Sequence, residues 1–103
     1  MSGTTVQSAV EHLSRILSRY ESGDLDRYSS GEIGGTINSL ESFRDRYSAD
    51  DDLFTLCGLA SNIISHLYVA RGYATPNVPR DFKYYQNMND VRRLIQQIKR
   101  MKR

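Results

Sequence analysis

Apolar residues recur near the start of the chain at the spacing of one helix face: Val6, Ala9, Val10, Leu13, Ile16, Leu17 and Tyr20. Steps of three and four follow the 3.6-residue turn, so the pattern predicts an amphipathic helix over 5–21. Thr4 or Thr5 is placed to cap it, Ser8 with Glu11 offers an alternative capping box, and Gly23 supplies a stop. A second stripe, Ile33, Ile37, Leu40, Phe43 and Tyr47, predicts a helix over 30–47 that opens on the capping box Ser29-Ser30-Gly31-Glu32. Gly34 and Gly35 fall in its first turn, at a cost of about 1 kcal/mol each relative to Ala, and are read as a close helix–helix approach or a late helix start.

The third element differs in kind. Between 50 and 71 apolar residues cover nearly every side, from Leu53 and Phe54 to Val69 and Ala70, which predicts a central helix packed on several neighbours. Ser48 with Asp51 signals its start, Asp50, Asp51 and Asp52 favour the positive end of its dipole, and Gly72 is read as its stop. The stretch Leu53 to Ala70 is interrupted by Gly58, Ser61, Asn62, Ser65 and His66, and is read as a core helix rather than a membrane span. Pro76 and Pro79 mark a loop, and a short helical turn is expected around Pro79–Tyr85. Val91, Leu94, Ile95, Ile98 and Met101 then predict a fourth helix over 88–102, capped by Asn87 or Asn89.

No stretch alternates at period two and no repeat is present. The fold expected is therefore all-α, a small four-helix antiparallel bundle forming one domain over 1–103. Its core is expected to include Val10, Leu13, Leu17, Ile37, Leu40, Leu56, Ala60, Ile63, Leu67, Leu94, Ile95 and Ile98.

Charge adds a polarity that the net value of +2 conceals. Residues 1–56 hold ten acids and five bases, whereas residues 57–103 hold nine bases and two acids. A molecule with an acidic and a basic half attracts opposite partners to each. The single cysteine, Cys57, rules out an internal disulfide, and a cytoplasmic location is expected. The polar start, Met1-Ser2-Gly3-Thr4-Thr5, does not read as a signal peptide.

Candidate chemistry is sparse. His12, His66 and Cys57 fall singly on different turns, without the spacing of metal ligands or of a nucleophile and its base. The three consecutive acids lack the glycine and terminal glutamate of a calcium loop, and no phosphate-cradling glycine pattern follows a strand. The sequence thus predicts no catalytic residue, no metal and no cofactor. The reading is a non-enzymatic protein that binds another protein: an inhibitor, immunity-type or antitoxin protein, or an adaptor subunit. Bacterial immunity proteins are helical bundles of comparable size, an analogy at the level of fold alone. The acidic residues Glu41, Asp45, Asp50, Asp51 and Asp52 are expected to steer a basic partner, with Tyr84 and Tyr85 supplying contact area, in one interface if the 73–88 loop folds back. The alternative is a nucleic-acid-associated regulator that uses Arg92, Arg93, Lys99 and Arg100 of the last helix. A membrane partner is not expected, and a homodimer is left open.

Overall fold

The computed structural model describes residues 2–101, with side chains from Thr5 onward. Four helices, α1 (Ser2–Leu17), α2 (Ser30–Tyr47), α3 (Phe54–Tyr73) and α4 (Phe82–Arg100), form a four-helix bundle with no strand among the described residues. The α2, α3 and α4 helices form a layer with α3 in the middle, and α1 packs against α2 and α4. Arg44 meets Ser61 and Tyr68 meets Glu41, so α2 and α3 run antiparallel. The Cα radius of gyration, 13.8 Å, is close to the roughly 13 Å typical of a compact chain of this length.

The twelve expected core residues are all buried, joined by Tyr20, Ile33, Phe43, Leu53, Tyr84, Met88 and Val91. The expected helix boundaries move for physical reasons. The α1 helix begins at Ser2, ahead of Thr4, Thr5 and Ser8, because the first-turn N–H groups lack intrahelical partners in any case and weak helix formers are tolerated there. It ends at Leu17 and tightens into a 3-10 turn, Ser18–Tyr20, that sinks Tyr20 into the core. Gly23, with φ at +106°, then reverses the chain in a conformation that side chains rarely adopt. Ser29 caps α2 as expected, its hydroxyl accepting from the Glu32 N–H at 3.1 Å. Gly34 sits under the guanidinium of Arg71, a close approach, whereas the space beside Gly35 is open.

At the next junction the cap is Asp50 rather than Ser48. The Asp50 carboxylate accepts from the Asp52 N–H at 3.0 Å and starts a 3-10 turn, Asp51–Leu53, that leads into α3. The Ser48 hydroxyl instead donates back to the Asp45 carbonyl. Gly72 lies inside α3, which continues to Tyr73. The largest shift is in α4, which starts at Phe82, well before the expected residue 88. Asp81, in an extended conformation, caps it by accepting from the N–H groups of Lys83 and Tyr84. Tyr84 and Met88 are both buried and carry the apolar stripe upstream of Val91, so Asn87 and Asn89 lie within the helix. The expected end at residue 102 lies outside the described residues.

The expectation that α3 is enclosed on nearly all sides fails on one face. The other three helices leave one side of α3 uncovered, and Phe54 (80% exposed), Tyr68 and Val69 face outward. The Asp51–Tyr73 segment has the length and composition of a membrane span, yet it is packed into the bundle with a part-buried surface.

Candidate interaction surfaces

The acidic residues do not form one patch. Asp45, Asp51 and Asp52 are exposed at the junction of α2 and α3, and none makes an ion pair among the described residues. Asp51 and Asp52 border a shallow depression together with Arg46, Tyr47, Ala49 and Asp50. Glu41 lies elsewhere: its carboxylate accepts from Tyr68, near the opposite end of α3.

Tyr84 and Tyr85 belong to the architecture rather than to a free surface. Tyr84 is fully buried, its hydroxyl donates to the Leu25 carbonyl, and Arg80 lies over its ring at 5.1 Å. Burial pushes its phenol pKa up. Tyr85 packs edge-on to Tyr84 and donates to the Asp26 carboxylate, a bond that raises its own pKa. The pair ties the connector of residues 24–28 to the start of α4. This end of the bundle is remote from Asp50–Asp52, so the 73–88 segment does not unite the tyrosines with the acidic corner.

The basic face of α4 is largely engaged inside the molecule. Arg92 donates to the carbonyls of Tyr20 and Gly23 at 3.2 and 2.5 Å, Arg93 pairs with Asp90 at 3.0 Å, and Lys99 pairs with Glu21 at 3.0 Å. Of the four bases expected to contact nucleic acid, Arg100 alone has no such partner among the described residues. Lys102 and Arg103 lie outside those residues.

His12 packs edge-on against Phe43 and Tyr47, and burial together with Arg15 and Arg46 lowers its pKa. His66 hydrogen-bonds Asn87 through Nδ1 at 2.8 Å and lies 3.8 Å from Asp90. Cys57 is half-buried on α3 and burial raises its thiol pKa, which opposes the thiolate form. Among the described residues no three His, Cys, Asp or Glu side chains converge on a point.

The surface that sequence reasoning missed is the outer face of α3. Phe54, Gly58, Ser61, Ser65, Tyr68, Val69 and Gly72 share it at helical spacing, and no Asp, Glu, Lys or Arg occurs from Leu53 to Ala70. An exposed helix face ordinarily carries charges. The signal was present as an uncharged run, but an all-round apolar helix is normally read as enclosed.

Fold and surfaces together define a small helical bundle with one uncharged, partly apolar face rimmed by charge. We found no matching family model, curated protein sequence or solved structure for this chain.

Proposed function

We propose that the protein acts by binding another protein and performs no chemistry of its own, as an inhibitor, an immunity- or antitoxin-type protein, or an adaptor subunit. The observation that carries this reading is the outer face of α3, where Phe54 stands 80% exposed beside Val69 and Tyr68 with no charge among them. A large exposed ring on a rigid helix is the type of group that dominates protein interfaces once desolvated. The carboxylates Asp45, Asp51 and Asp52, without an ion pair among the described residues, adjoin its N-terminal end and would speed the approach of a basic partner. A cytoplasmic site of action accords with a half-buried, unpaired cysteine. The basic face of α4 favours the nucleic-acid alternative less, since Arg92, Arg93 and Lys99 are already held within the molecule.

The test is affinity capture from nuclease-treated lysate with the wild-type chain and with Phe54→Glu as baits. A protein retained by the wild type and lost with Phe54→Glu, both folded by circular dichroism, supports the reading. Capture that disappears on nuclease treatment transfers it to nucleic acid.

A further inference from the structure

We propose that the outer face of α3 is occupied by a second copy of this chain, packed antiparallel about a two-fold axis near Ser65. This rests on the reading of that face as a protein-binding surface and names its partner.

Three observations lead there. The first is the arrangement of charge on the two rims. On the α2 side, Glu41 reaches Tyr68 and Arg44 reaches Ser61, at 3.5 and 3.3 Å. On the α4 side, Asp90 lies beside His66, and Arg93 follows one turn nearer the N-terminal end of α3. Each flank therefore carries an acid toward the C-terminal half of α3 and a base toward its N-terminal half. A two-fold axis lying in the interface and perpendicular to α3 keeps each flank on its own side and reverses it end to end. Acid then meets base along the α2 rim, and on the α4 rim the Asp90–Arg93 pair faces its own counterpart in the opposite sense. A parallel pairing would instead set like charges together, which is unfavourable.

The second observation is Gly58 and Gly72. A Cβ at either position would meet nothing within 4 Å, and neither residue has positive φ. Nothing inside the molecule requires glycine there, and glycine within a helix is destabilising. Close approach by a helix from outside favours it, and rotation about Ser65 sets Gly58 of each copy opposite Gly72 of the other.

The third is area. From Phe54 to Gly72 the face is about 27 Å long, and the middle extent of the molecule is 23 Å. The α3 face alone is one helix wide, about 10 Å, so only a contact that includes the α2 and α4 flanks offers up to about 600 Å² per copy, which doubled reaches the lower end of specific interfaces. Such an interface is isologous, the commonest arrangement for a soluble homo-oligomer.

The experiment is sedimentation equilibrium of the full chain and of Ser65→Glu and Ser65→Arg variants, each checked for helicity. Ser65 is exposed, so either substitution leaves the bundle folded. The wild type is expected to sediment at twice 11.8 kDa. Each variant sets like charges across the axis and should weaken self-association roughly tenfold or more. An equimolar mixture of the two variants is expected to regain the dimer, a rescue that misfolding cannot produce. Gly58→Ala should raise the melting temperature measured at low concentration while weakening association.

A wild type that stays at 11.8 kDa to several hundred micromolar overturns the proposal. So does a dimer that persists in both Ser65 variants, or a monomer that co-sediments with phosphatidylcholine vesicles through Phe54. If the chain is monomeric yet retains another protein through Phe54, self-pairing fails and the protein-binding reading stands. If it is monomeric and retains none, both fail.

Discussion

Single residues of this bundle separate into those whose role periodicity reveals and those placed by a distant partner. Ile63, fully buried on α3, belongs to the first group. Ile63→Ala is expected to cost about 2–5 kcal/mol in urea unfolding, from lost burial plus the cavity left behind. A loss below half a kcal/mol would show that α3 is not central. Tyr84 belongs to the second group. Its burial depends on the Leu25 carbonyl, 59 residues away in sequence, and no local pattern distinguishes such a tyrosine from one at an interface. His12 gives a pH dependence of definite sign. Its folded pKa lies below 6.5, so on acidification the unfolded chain takes up the proton first. Its contribution to stability is present above about pH 6.5 and is lost as pH falls through that value toward the lower folded pKa. His12→Gln should therefore reduce the difference in stability between pH 7.5 and pH 5.5.

At the level of elements, three helices were legible from a long apolar stripe and α3 from an apolar run on nearly every side. Their ends were less so, because a cap is decided by one side chain and competing candidates lay nearby. Asp81 and Asn89 make the contrast testable. Asp81 holds two N–H groups at the start of α4, whereas Asn89 lies exposed within the helix. Asp81→Ala should cost about 1 kcal/mol in urea unfolding, and Asn89→Ala nothing of that size. Equal effects would place the functional start of the helix near residue 89 after all. The outer face of α3 escaped notice for a related reason. Burial is a property of how many neighbours a helix finds, and this bundle leaves one side of its most apolar helix uncovered.

For the molecule as a whole, the division into acidic and basic halves was plain in the sequence, but its use was not. Charge counts do not show which groups are already engaged. Arg92 and Lys99 hold the α1–α2 connector in place, so charge reversal there affects the fold before it affects any partner. Arg92→Glu should destabilise the protein by about 1–3 kcal/mol. Arg100→Glu should leave the melting temperature unchanged and so serves as the cleaner probe of nucleic-acid binding by α4. Unchanged thermal unfolding in Arg92→Glu would mean that the contacts with Tyr20 and Gly23 carry no load.

Those contacts also bear on the order in which the chain is made. Tyr84, Tyr85, Arg80, Arg92 and Lys99 all bond to residues 20–28 across 52 to 78 positions of sequence. Residues 20–28 leave the ribosome well before the residues that fasten them. At about 5–20 residues per second, α1 waits several seconds with α2 as a partner but without α4, which completes its packing. Native fastening of residues 20–28 therefore waits for α4, and a nascent chain halted before residue 80 should expose α1 to protease in a way the chain with α4 in place does not.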